Sequence, residues 1–150
     1  NISQPEHRPW QQIQWHGHYP NIRMMHWVRL EERFRRKILN NDELADGYNY
    51  NSRIRYNFFL QIPLNKKKFT PGGFSFVVND EVHLNFGDEI VYNTFDQNRF
   101  FAGFQYQLAK TTAVQFGYMN QFIQTAAGNA YRSNHVARVF LLQNLDLRKK

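Results

Sequence analysis

The sequence predicts an all-β protein: an antiparallel meander of about seven strands, of the kind that crosses a membrane as a β-barrel. Three observations predict it. Residues 48–64 alternate in character: Tyr48, Tyr50, Ser52, Ile54, Tyr56, Phe58, Leu60 and Ile62 form one set, and Asn49, Asn51, Arg53, Arg55, Asn57, Phe59, Gln61 and Pro63 the other. Side chains alternate across a strand, so this segment has one apolar and one polar face. The pattern then repeats in segment after segment, separated by turn chemistry. Finally, aromatic residues make up 17% of the chain, yet mean hydropathy is −0.67. No apolar run approaches the roughly 18 residues of a transmembrane helix. A barrel needs only every second residue apolar, so it survives this test.

The elements follow in order. Residues 6–15 form a weak strand, with Trp10, Gln12 and Gln14 alternating against Gln11, Ile13 and Trp15, and Pro9 making its start irregular. His16-Gly17-His18-Tyr19-Pro20-Asn21 reads as a turn. Residues 23–38 form the second strand. Val28, Leu30, Phe34 and Ile38 lie on one face, and Trp27, Arg29, Glu31, Arg33, Arg35 and Lys37 on the other. Glu32 and Arg36 interrupt the apolar face, which suits a bulge or an end beyond the lipid. Residues 30–37 also contain good helix formers, so a charged helix competes there.

Residues 39–47 form a loop, the organising strand follows at 48–64, and 65–73 form a turn ending in Pro71-Gly72-Gly73. Residues 74–86 form a strand with Phe74, Phe76, Val78, Val82, Leu84 and Phe86 on the same face as Asp80. Residues 87–97 form a loop, 98–108 a strand, 109–111 a tight turn, 112–124 a strand, 125–133 a loop and 134–147 the last strand, ahead of a basic tail at 148–150. If the 109–111 turn faces the periplasm, the loops at 39–47, 87–97 and 125–133 all fall on the outer rim, as bacterial barrels arrange them.

The net charge of +7 raises nucleic acid as a partner. The cations, however, lie within alternating strands or in the Lys66-Lys67-Lys68 turn, with no basic helix, and none is expected to bind it. The chain contains no cysteine, which removes disulfides, thiol nucleophiles and thiolate metal sites. No cofactor is expected.

The polar face carries the candidate site: Arg29, Glu31, Arg33, Arg53, Arg55, Glu81, His83, Asn85 and Arg99, with Arg35 and Arg138 beside them. In a wide lumen this lining favours anions. In a small barrel the same groups pair and fill the interior. A second candidate is Asp96-Gln97-Asn98-Arg99, placed where a loop enters a strand. It acts there either as a lock on strand register or as a contact at the outer mouth. His16 and His18, with His26 nearby, have the spacing of metal ligands, and Asp80, Glu81, Asp88 and Glu89 are possible calcium oxygens. Turn and loop roles account for both groups. For hydrolysis, Ser75, His83 and Asn85 share a face, but eight residues separate Ser75 from His83, roughly 27 Å at 3.4 Å per residue. Ser133 and His135 are closer. No catalytic role is expected.

Several segments resemble the bacterial family called domain of unknown function 2490. They are Glu6-His7-Arg8-Pro9-Trp10-Gln11-Gln12, His26-Trp27-Val28-Arg29-Leu30-Glu31-Glu32-Arg33-Phe34, Arg53-Ile54-Arg55-Tyr56, Asn79-Asp80-Glu81-Val82-His83-Leu84-Asn85-Phe86 and Phe95-Asp96-Gln97-Asn98-Arg99-Phe100-Phe101-Ala102-Gly103. Gly117-Tyr118-Met119-Asn120-Gln121 and Asn134-His135-Val136 complete the set. The resemblance implies an outer-membrane barrel of Gram-negative bacteria, prominent in Bacteroidetes, made after a signal peptide. It also implies further strands ahead of Glu6, which makes this chain the C-terminal part of a single barrel domain. An odd count of seven strands and a start at Asn1-Ile2-Ser3 without Met agree with that expectation. The basic ending departs from the aromatic finish of many such barrels. The family lends no activity. The partners it implies are outer-membrane lipid and other outer-membrane proteins. A soluble barrel that buries the apolar face around a small ligand is the alternative.

Overall fold

A computed structural model describes residues 3–125 and 127–145. Its strands are β1 (Glu6–His7), β2 (Trp10–Tyr19), β3 (Ile22–Ile38), β4 (Leu44–Pro63), β5 (Phe74–Phe86), β6 (Phe95–Gln107), β7 (Thr112–Gln124) and β8 (Tyr131–Gln143). No helix occurs among the described residues, so the charged-helix alternative for 30–37 falls: that segment lies within β3. All eight strands join one antiparallel sheet, ordered β1-β3-β4-β5-β6-β7-β8, with β2 also paired to β3.

β1 and β2 take successive stretches of the same edge of β3, so eight strands fill seven positions. The weak first strand is therefore present but split. Pro9 has no N–H to give, and its carbonyl accepts from Glu32 N at 3.0 Å while that of Pro5 accepts from Arg36 N at 2.9 Å.

The structure corrects several boundaries. His16-Gly17-His18 is not a turn: β2 continues to Tyr19, paired residue by residue with β3, and Pro20-Asn21 alone make the hairpin. Gly47, with φ +89°, is not in a loop either. It lies in a bulge where the β3–β4 register shifts between Arg36 and Ile38, so β4 begins at Leu44. β6 begins at Phe95 and β8 at Tyr131, both earlier than the sequence suggests. β8 ends at Gln143, short of the expected 147, with 144–145 outside the strand; residues 146–147 and the basic tail lie outside the described residues.

The sheet is strongly curled. Arg23 of β3 and Leu142 of β8 line one cavity, although five strand spacings of about 4.8 Å separate them on a flat sheet. The face inside the curl is buried and polar: Glu31 is 1% exposed, Asn51 1% and His83 2%. The outer face carries exposed apolar side chains, among them Ile54, Tyr56, Phe100, Phe104, Phe116 and Tyr118. Phe104 stacks on Phe74 with ring centroids 5.2 Å apart, and Phe122 stacks on Tyr131 at 5.3 Å.

Gly103 and Gly117 are paired across β6 and β7 in close approach. A Cβ at Gly103 would lie 2.3 Å from the Phe116 carbonyl oxygen and 2.7 Å from Phe101 Cζ. The missing side chains leave room for the Phe101 ring, 1% exposed, on the inner face. The Arg138 guanidinium of β8 lies 4.1 Å from that ring's centroid.

Among the described residues the sheet remains open, with edges at β2 and β8. Seven positions in a meander make those edge strands run in the same direction. Antiparallel closure therefore requires an odd number of further strands between them.

Candidate functional site

The inner face gathers the predicted polar residues into one connected band. Cross-strand register aligns them: Glu31 lies opposite Arg53, Arg55 opposite His83, and Glu81 opposite Arg99. Arg55 is the centre. Its Nη1 donates to Glu31 Oε1 at 2.7 Å and its Nε to Glu81 Oε1 at 2.8 Å, with Nη2 also on Glu81. His83 Nε2 lies 3.3 Å from Glu81 Oε1, and the Gln97 amide is 3.4 Å from His83 Nδ1. Gln97 Oε1 accepts from Gln121 at 2.6 Å and from Arg99 Nε at 3.3 Å. Gln121 Oε1 accepts in turn from Asn134 at 3.3 Å.

On the other side, Arg29 lies 3.9 Å from Glu31 and donates twice to Gln12, at 2.9 and 2.7 Å. The band thus runs from β2 to β8 and crosses every strand between them. An ion buried in an apolar medium costs several kcal/mol unless paired, and this arrangement supplies the pairs.

A branch leads toward the long-loop rim. Arg53 donates to Asn85 Oδ1 at 2.9 Å and lies 3.0 Å from Asp96 of β6. Arg33 forms a forked contact with Glu6, its Nε 2.7 Å from Oε1 and its Nη2 3.2 Å from Oε2. Glu6 lies on β1 at the long-loop end of the sheet, opposite Arg35. The Arg33 guanidinium holds its carboxyl well below the usual carboxylate range, at about 2. Arg35 lies 3.8 Å from Glu89.

All nine predicted network residues are therefore on one face and in or beside one network. Sequence reasoning missed the amides that complete it: Gln12, Gln121 and Asn134. Their positions in the alternation were legible, but neutral side chains carried no signal beside so many charges. Gln97 was placed in the rim motif and is in fact a hub of the band.

The rim motif itself divides between the two faces. Register shifts between His83 and Leu84, opposite the start of β6, and Asp96 and Gln97 both reach the inner network. Asn98 points outward and donates to Asp80 Oδ1 at 2.7 Å.

The other candidates separate. His16 is on the inner face, across from Met25, and His26 is on the outer face, stacked on Trp15 at 5.3 Å and bonded to the Tyr56 hydroxyl at 2.9 Å. The His18 side chain lies outside the described set. Among the described residues no three His, Cys, Asp or Glu side chains gather for a metal, and Asp80 and Glu81 point to opposite faces. Ser75 and His83 are both buried, with Ser75 opposite Gln105 and His83 opposite Gln97. Ser133 and His135 share the outer face with separate partners: Ser133 Oγ accepts from Asn120 at 2.8 Å, and His135 Nδ1 is 2.5 Å from the Tyr118 hydroxyl. No nucleophile–base pair forms in either set.

Comparison with known proteins gives a family and no activity. No curated protein and no solved structure matches the chain. A family model described as "Protein of unknown function (DUF2490)" matches residues 1–132, and the chain belongs to that family.

Proposed function

We propose that the protein is an outer-membrane β-barrel of the bacterial envelope. It acts as a structural or interaction component, with its apolar face against lipid and its interior closed by the Arg–Glu–Gln band. The supporting observation is the inversion of burial. Ile54 is 38% exposed and Phe100 41%, while Glu31 and His83 are shut away. A barrel folded for water puts its apolar set inside; a barrel in lipid does the reverse. Strand lengths suit the role. β5, β6, β7 and β8 have 13 residues each, above the roughly 9–11 that a tilted strand needs to span a bilayer.

Several polar groups on the outer face fit this reading because a neighbour satisfies them. Asp80 pairs with Asn98, Asn120 with Ser133, and His26 with Tyr56. Pairing within the inner band favours a filled interior over the alternative of a narrow anion-preferring channel. Arg55 is committed to two carboxylates and Arg53 to Asp96, which leaves less uncompensated positive charge for a permeant anion. The partners under this proposal are outer-membrane lipid and neighbouring outer-membrane proteins.

The test is fractionation of cells that make the full-length protein, with boiled and unboiled gel lanes compared. Recovery in the outer membrane with a heat-dependent mobility shift is expected. Recovery in a soluble fraction without detergent overturns the proposal.

A further inference from the structure

We propose that the inner face near the short-turn rim holds a binding site for a small amphipathic anion: Arg23 takes the anionic group, and Met25 and Phe59 take the apolar body. A cavity of about 480 Å³ lies there, lined by His16, Arg23, Met25, Phe59, Gln61 and Gln105. Its volume is within the range of small-molecule sites, roughly 300–1,000 Å³. Register builds it: Arg23 lies opposite Gln61, and Met25 lies between His16 and Phe59. The curl of the sheet brings Gln105 of β6 to the same space.

Three features distinguish this cavity from the paired band above it. Arg23 has no carboxylate within ion-pair distance among the described residues, and its guanidinium instead lies 3.8 Å from the Phe69 ring centroid. Gln61 is 5% exposed and lines the cavity, yet its side-chain amide bonds to no described residue. That amide lines the cavity, where a ligand oxygen can meet it.

Finally, the described part of this rim is cationic. Arg23, Lys66, Lys67, Lys68 and Lys110 are found there, while residues 16–23, 61–75, 105–114 and 141–145 contain no Asp or Glu. Such one-sign charge raises the local concentration of anions. Arg23 and Gln105 also line an adjoining cavity with Lys110, so the site opens toward that collar. The required chemistry is an anionic head on an aliphatic or aromatic body. An aqueous carboxylate and a phospholipid headgroup both offer it. The site depends on the inner face alone, so it stands or falls separately from the membrane assignment.

The test uses the full chain held in amphipol, with octanoate, 1-octanol and inorganic phosphate titrated by calorimetry. Saturable binding of one octanoate is expected, with octanol and phosphate each at least tenfold weaker. Arg23→Gln is expected to weaken octanoate at least tenfold and to leave octanol unchanged. Lys37→Gln, at the opposite rim, is expected to change neither. Met25→Glu, which puts a carboxylate in the cavity, is expected to abolish octanoate binding and serves where Arg23→Gln fails to fold. Repetition in nanodiscs separates the sources. Weaker octanoate binding in phosphatidylglycerol than in phosphatidylcholine discs assigns the site to a lipid headgroup, and equal binding assigns it to an aqueous anion. Non-saturable uptake, or equal octanoate affinity in wild type, Arg23→Gln and Met25→Glu, overturns the proposal.

Discussion

Arg55 is the residue on which the interior turns. One guanidinium joins Glu31 of β3 to Glu81 of β5, and its removal leaves two buried carboxylates facing each other across β4. Breaking a buried pair by deleting one partner costs about 3–5 kcal/mol, whereas replacing the whole cluster is often close to neutral. Arg55→Leu is therefore expected to lower unfolding stability by about that amount, and Glu31→Gln with Glu81→Gln in the same chain to restore most of the loss. Urea titrations of the refolded protein in lipid vesicles check this. Equal stability of Arg55→Leu and wild type would mean that the cluster is solvated. At this scale the sequence was informative about charge and face, because alternation fixes which side a residue takes. It was silent about partners: that Arg53 reaches Asp96 two strands away follows from the curl, which no local pattern encodes.

Among the elements, β5 and β7 were legible to the residue. Alternation in each, though interrupted at Asp80 in β5 and less clean in β7, is bounded by Gly-Gly or a tight turn at its start. The errors fell at the long-loop ends, at the first hairpin and at the end of the last strand, which stops at Gln143. Gly47 and the Asp96 segment carry turn chemistry, but a bulge uses the same residues as a turn, and here the strands continue through both. Likewise, His16-Gly17-His18 beside a Pro-Asn pair resembled a loop, and ladder pairing to β3 overrode it.

Two predictions belong at the level of the elements. The Gly103–Gly117 contact sets how closely β6 and β7 approach, and a Cβ at Gly117 would lie 2.4 Å from the Ala102 carbonyl oxygen. Gly117→Ala is expected to cost about 1–3 kcal/mol through overpacking, read in the same urea titration. The second concerns β1. The folded pKa of Glu6 is depressed, from 4.5 to about 2. Its contribution to holding β1 is therefore complete above pH 4.5 and lost as pH falls toward 2. The Arg33 Nε–H resonance is expected to report a step in that window, absent in Glu6→Gln.

At the scale of the molecule, a single curled sheet separates two environments, an inner polar one and an outer apolar one. Composition alone obscured this, since a mean hydropathy of −0.67 averages the two faces. Alternation recovered it. The open edges at β2 and β8, and the parity that asks for an odd number of closing strands, came only from the topology. The three tryptophans sample both environments. Trp15 is on the outer face opposite His26, whereas Trp27 is on the inner face, with Arg55 5.3 Å from its ring centroid. Quenching of tryptophan fluorescence by bilayers with brominated acyl chains distinguishes the two faces in single-tryptophan variants made by Trp→Phe replacement. Strong quenching of Trp15 with Trp27 left bright places lipid on the apolar face. Equal quenching of both, or none of either, contradicts the inside-out barrel.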